Sequence, residues 1–151
     1  MKRFQFPLRS LARLRAHYEL SAREAFAGAV LAHTHSEAEV AKASARVTEL
    51  EAVVIAGRRG SFSAASETLN LGAYRSEQAG EATAVKNRHA ARVQMERRRA
   101  EYIAAHQRLE VVKRLEERAH AAYRLDVNRE EQAEFDDLAG RRAARKTVSA
   151  L

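Results

Sequence analysis

The side chains in this sequence that could do chemistry are few and scattered. His33 and His35 flank Thr34 in a His-Thr-His stretch, the nearest thing to a metal-ligand cluster. On a helix, side chains two residues apart point in different directions, so this pair reads as surface histidine and not as a metal site. His89 and His106 stand singly, at the boundary of a helical apolar pattern. The segment Gly57-Arg58-Arg59-Gly60 lacks the Lys-Ser or Lys-Thr that completes a phosphate-cradling loop, and it does not leave a strand. Arg58-Arg59-Gly60-Ser61 has the composition of a kinase target, but a flexible basic loop uses the same residues. With no cysteine there is no disulfide, no thiolate metal site and no thiol nucleophile. Catalysis needs convergent polar groups on a rigid, partly dry scaffold, and no such set can be nominated. The expectation is a chain that is not an enzyme, with no catalytic residue, no metal, no cofactor and no small-molecule substrate.

The elements that carry these residues follow from composition. Of 151 residues, 69 are hydrophobic, but 32 of those are alanine, which leaves 37 large apolar side chains. Ala, Glu, Lys, Leu and Arg together supply 89 residues, well above the roughly half that marks coiled coils and long helices. One proline, six glycines and few β-branched residues argue against strands. Phe4, Leu8, Leu11, Tyr18, Ala22, Ala25, Ala29 and Ala32 follow a four-three spacing with Arg15 as the polar intruder, and Val40, Ala43, Val47, Leu50 and Val54 form a second run. Consecutive steps of four through Ser36 join them, the mark of a stutter that locally unwinds a supercoil.

This pattern predicts one helix over about residues 8–56, roughly 70 Å long at 1.5 Å per residue. Pro7 sits at its entrance, where a missing N–H costs nothing. Two glycines and three serines between Gly57 and Ser66 predict a connection, taken as about 57–72, with a second start near Ser66 as the alternative. Met95, Arg98, Tyr102, Ala105, Leu109, Val112, Glu116, Ala119 and Tyr123 carry the repeat through a second helix of about 73–140, with Gly140 as its cap.

Two long helices and a short loop predict an all-α fold: a long antiparallel two-helix coiled coil, a helical hairpin in which residues 1–151 form a single unit. Reflection about residue 64 sets Leu8 against roughly residue 120, so the last 20 or so helical residues of the second helix overhang. A two-stranded seam over roughly 120 helical positions needs about 34 places, close to the 37 large apolar residues present. Alanine could instead widen that face, which leaves a dimer forming four helices open. Such a narrow seam predicts only marginal stability for the free chain.

Two features suggest partners. In the overhang, Phe135 and Leu138 stand three apart among charges with no helix-one residue to cover them, which suits insertion into another protein's groove or ring. Around the turn, Val54, Ile55, Phe62, Leu69, Leu71 and Tyr74 gather apolar surface.

The net charge is +7, with 22 arginines among 27 basic residues, and a pI near 10 raises nucleic acid as a partner. Acids are nonetheless interleaved almost everywhere. The excess gathers at Lys86–Arg99, with six bases and one acid, and acid gathers at Asp126–Asp137, with six acids and one arginine. A basic coiled coil gripping nucleic acid through Lys86–Arg99 is the rival reading. That stretch lacks interleaved aromatics, so nucleic acid is not the expected partner. A bare structural spacer is the third reading. The basic opening MKRFQFPLRSLARLRAHY has no continuous apolar stretch, so it serves as helix entrance and not as a targeting peptide. No apolar run approaches the roughly 18 residues of a membrane span.

On these residues the chain resembles the flagellar export protein FliJ family, with the stalk proteins of virulence type III secretion as cousins. The opening MKRFQFPLRSLARLR is similar to the family's Phe-x-Phe-x-Leu start, and a Gly/Ser loop followed by Tyr74 resembles its turn. The end is the most specific piece: Leu115, Glu116, Arg118, Tyr123, Glu131, Gln132, Phe135, Asp136, Asp137 and Ala139 hold matching places, with Asp137 where glutamate is usual. The resemblance implies a non-enzymatic stalk whose paired terminal end enters a hexameric export ATPase, and which contacts the cytoplasmic domain of the export-gate membrane protein and substrate chaperones. It implies a cytoplasmic protein held peripherally at the inner membrane. Arg118, Glu131, Gln132, Phe135 and Asp136 are expected to face the ATPase. Val54, Leu69, Leu71 and Tyr74 are nominated for the gate or a chaperone from their position near the turn alone.

Overall fold

A computed structural model describes residues 3–60 and 63–148, with side chains described as far as Arg142. Two helices account for nearly all of them: α1, Arg9–Arg59, and α2, Ala64–Val148. They pack against each other as an antiparallel hairpin. Arg46 meets Glu77, Arg58 meets Glu67 and Phe26 meets Tyr102, so partner positions are mirrored about residues 62 to 64. By compactness the chain falls into two units, one joining Met1–Tyr18 to His106–Leu151 and the other spanning Glu19–Ala105.

In the Glu19–Ala105 unit, half-buried or buried positions on α1 run 19, 22, 26, 29, 33, 36, 40, 43, 47, 50 and 54, with Val30 and Glu39 half-buried at their edge. This is an unbroken four-three repeat. The stutter expected at Ser36 is therefore absent, and the seam takes Glu19, Phe26 and His33 in place of Tyr18, Ala25 and Ala32. The reason is mass. Alanines at 22, 25, 29 and 32 fit two registers equally, whereas Phe26 stacks on Tyr102 with ring centroids 6.1 Å apart and planes 9° from parallel. Ala43 and Val54 are buried.

The turn is shorter than the glycines suggest. Residues 57–59 and 64–72, expected in the connection, are helical, which leaves only residues 60–63 between the helices. Ser63 opens α2: its carbonyl accepts the Glu67 N–H at 3.0 Å, and serine is a favoured residue immediately before a helix. Glu67 lies in α2's first turn, and Arg58 and Arg59 in α1's last, each sign where the helix dipole favours it. Arg58 Nε then donates to Glu67 Oε1 at 2.7 Å, tying the two ends together. A glycine costs only about 1 kcal/mol in a helix interior, too little to stop one so supported. Gly72 and Gly140 have no positive φ, so α2 runs through both, and the cap expected at Gly140 does not form.

In the terminal unit, α1 starts at Arg9 after a short non-helical lead. The Arg9 N–H donates to the Phe6 carbonyl at 3.2 Å, with Pro7 and Leu8 in the turn between. Phe6 is buried, and Phe4 lies edge-on to His120 at 5.0 Å and tilted against Tyr123 at 5.4 Å. On α2, Leu109, Val112, Glu116, Ala119 and Tyr123 are covered, as their spacing predicts, with Glu110 half-buried beside them. Among the described residues, Phe6, Leu109 and Val112 are the buried apolar side chains of this unit.

Elsewhere the surface is laced with local ion pairs. Lys42 donates to Glu39, Arg98 to Glu101 and Lys113 to Glu110, each three residues apart. In each case that hydrogen bond, ahead of simple charge attraction, holds the carboxyl below the usual carboxylate range. All three glutamates are open to water, so these pairs tune helix surfaces and do not set the fold.

Candidate functional site

The overhang is built from the point where α2 loses its neighbour. Past Tyr123 the covered positions step by four, at Val127 and then Glu131, and from Asn128 to Arg142 every described side chain except Glu131 is exposed. The helix continues because nothing breaks it: alanine, glutamate, glutamine and arginine all favour helix, and Arg129 pairs locally with Asp126 at 3.7 Å.

Of the five residues nominated here, three share a stripe. Arg118 and Gln132 are fourteen residues apart, and Asp136 follows four further on, so all lie on one line down α2. Gln132 Nε2 donates to Asp136 Oδ1 at 3.5 Å, which keeps the two side chains together. Phe135, 67% exposed, turns about 100° from Asp136 and stands four residues after Glu131, so it lies with Glu131 to one side of this line. Glu131 does not join it: one residue back from Gln132 it turns about 100° away, on the half-covered side of the helix. Leu125, 59% exposed, falls midway between Arg118 and Gln132 on the same line. Sequence reasoning passes over it, although seven-residue spacing from both neighbours marks it.

Beside this stripe Phe4 from the lead segment meets His120, and an apolar-floored cleft of about 650 Å³ opens among Phe4, Lys113, Glu116, Glu117, His120 and Arg124. The chain's amino-terminal segment thus contributes to the same surface. Charge changes sign along it, from Lys113 and Arg124 to the acids of residues 126–137.

The residues nominated near the turn divide by burial. Leu69 is 74% exposed, and Leu71 and Tyr74 are half-buried. Val54 is only 7% exposed and belongs to the seam. Its neighbours Val53 and Ile55 face outward and provide the apolar surface that Val54 cannot. Phe62 and Ser61 lie outside the described residues.

The histidines also separate. His33 is drawn into the seam and its Nδ1 lies 3.7 Å from a Glu37 carboxylate oxygen, whereas His35 is exposed. His33 is therefore not a surface residue, because the unbroken repeat carries position 33 inward. Among the described residues no three His, Asp or Glu side chains are grouped to hold a metal ion, and no helix is long and apolar enough to cross a membrane.

A protein-family model described as "Flagellar FliJ protein" matches residues 4–147. No curated protein and no solved structure matches the chain.

Proposed function

Because the chain belongs to the FliJ family of flagellar proteins, which implies a role in flagellar export, we propose that it is a non-enzymatic stalk of the export apparatus. The stalk inserts the overhanging end of α2 into the hexameric export ATPase. The observation that carries this reading is the unpartnered length of α2 after Tyr123, helical yet exposed on nearly every side. A helix that folds without covering its own apolar residues presents them to another protein. Arg118, Gln132, Phe135 and Asp136, with Leu125 between them, form the contact surface, and Glu131 supports it from the covered side.

In this reading the turn region contacts the cytoplasmic domain of the export-gate membrane protein or substrate chaperones. Leu69, Leu71 and Tyr74 make the contact, and Val54 positions them by packing beneath. The association with the gate would hold an otherwise soluble chain at the cytoplasmic face of the membrane.

Two capture experiments test these assignments. Immobilised chain is expected to retain the purified export ATPase from the same organism. Replacing both Leu71 and Tyr74 by alanine is expected to lower gate capture and motility at least about tenfold, the effect of losing one or two anchor residues, while ATPase capture is unchanged. Wild-type gate capture by that variant would remove the turn from the proposal. The reading of Lys86–Arg99 as a nucleic-acid grip predicts instead a DNA affinity that falls steeply with salt.

A further inference from the structure

Past Tyr123 the covered face of α2 continues without a neighbour. Val127, Glu131, Phe135, Leu138 and Arg142 follow Tyr123 at steps of four, four, four, three and four, and these five fall within about 80° of arc. On this face Phe135 is 67% exposed and Leu138 52%. Glu134 and Arg141 stand together along one edge of it, about 20° apart around the helix. All of these residues belong to the terminal unit.

The charge on this stretch is sorted by sign. Glu130 to Asp137 holds five carboxylates and no base, and Arg141 and Arg142 then open a run of four bases in six residues with no acid among them. Glu131 and Glu134 have no base three or four residues away along the helix, and Arg142 has no acid there, whereas Arg141 has Asp137 alone. Glu130, Glu131, Glu134 and Asp137 instead repeat one sign at spacings of three and four, which repels. A helix sorted in this way is the charge complement of itself run backwards.

We propose that this face pairs with the same face of a second copy of the chain, the two overhangs running antiparallel about a twofold axis between Asp136 and Asp137. One register satisfies the apolar and the charged residues together. When Phe135 is set against Leu138 of the second copy, Glu131 lies four residues before Phe135 and Arg142 four after Leu138, so Glu131 and Arg142 also meet. Glu134 and Arg141 come within two residues of level, about 3 Å, on the same edge. The twofold makes each of these contacts twice, and Asp136 and Asp137, level with the axis, lie outside the face. A parallel pair would set acid against acid and arginine against arginine, so charge fixes the direction. With two large apolar residues from each chain the interface is small, and the pairing is reversible. It covers Phe135 and would hold the overhang out of the export ATPase until the second copy leaves; that consequence rests on the stalk reading, whereas the pairing does not.

The test is sedimentation of the full chain alone over roughly 10 μM to 1 mM, a range that brackets weak pairing, beside two charge-reversed variants. The parent is expected to pass from monomer to dimer, and to do so at lower concentration in low salt than in high. Glu131→Arg with Glu134→Arg, and separately Arg141→Glu with Arg142→Glu, are each expected to weaken self-association at least about tenfold, since four ion pairs become four like-charge contacts. Mixing the two variants in equal amounts is expected to restore the dimer, because every reversed charge then meets its opposite. That restoration separates a lost contact from a lost fold. The proposal is overturned if the parent stays monomeric across the range, if either variant alone associates as the parent does, or if the mixture stays as monomeric as its components. No ATPase is present in these measurements, so their failure would leave the stalk reading standing.

Discussion

Leu109→Ala is expected to destabilise the chain by about 2–3 kcal/mol, the lower part of the range for truncating a buried leucine. Leu109 is 8% exposed and lies one repeat step from Val112, at 5%, in a terminal unit whose described buried apolar set is completed by Phe6. A two-stranded seam lets neighbours relax into a new cavity, which keeps the cost from the top of the range. Native domains hold only about 5–15 kcal/mol in total, so this single change would remove a large share. Adjacent valines supply the control. Val112→Ala should cost about 1–2 kcal/mol by loss of buried methyl groups, whereas Val111→Ala, at a position 58% exposed, should stay within about 0.5 kcal/mol. Urea denaturation followed by circular dichroism measures all three. Equal effects at 111 and 112 would mean that the seam does not run where the repeat puts it.

Phe135→Ala should do the opposite: leave stability within about 0.5 kcal/mol and cost at least about 2 kcal/mol in binding the export ATPase, roughly a thirtyfold loss of affinity. Phe135 is 67% exposed, so its ring contributes little to the free chain's fold. An exposed aromatic amid Glu131, Gln132, Asp136 and Asp137 has a ready-made polar rim, the surroundings in which an anchor residue excludes water on docking. Leu125→Asp should reproduce the binding loss, and Glu130→Gln, on a different face, should not. Titration of each variant into the ATPase with a spectroscopic or calorimetric readout compares them. An unchanged affinity for Phe135→Ala would move the contact off this face.

How far the sequence discloses this molecule depends on where its large side chains stand. From Met95 to Tyr123 the repeat is carried by Met95, Tyr102, Leu109, Val112 and Tyr123, and the structure follows it at every expected position except Arg98, which is exposed. From Ala22 to Ala32 alanines occupy both candidate registers, and only the Phe26–Tyr102 stack decides between them. Glycine misleads at the turn because Gly57 and Gly72 have ordinary helical backbone, and the stop is set by Ser63 and the Arg58–Glu67 pair. For the sites, the exposure of Phe135 follows from the overhang alone. Val54 fits both a seam run and a turn cluster in the sequence, and burial decides for the seam.

The same geometry explains why the chain spends its few apolar residues as it does. Of its 37 large apolar side chains, sixteen stand exposed among the described residues, Leu69, Leu125, Phe135 and Leu138 among them, so the seam takes only part of the supply that the sequence arithmetic assigned to it. These exposed residues are where partners would find purchase, and the seam's work is to hold them in position.

The most direct measurement is ATP hydrolysis by the purified export ATPase, titrated with the full chain and with a chain ending at Arg124. The shortened chain keeps Phe4, Phe6, Leu109, Val112 and Tyr123, so its melting temperature should match the parent's within a few degrees. Insertion of the overhang predicts that the full chain stimulates hydrolysis and that the shortened, folded chain does not. Stimulation by the shortened chain equal to that of the full one would contradict it.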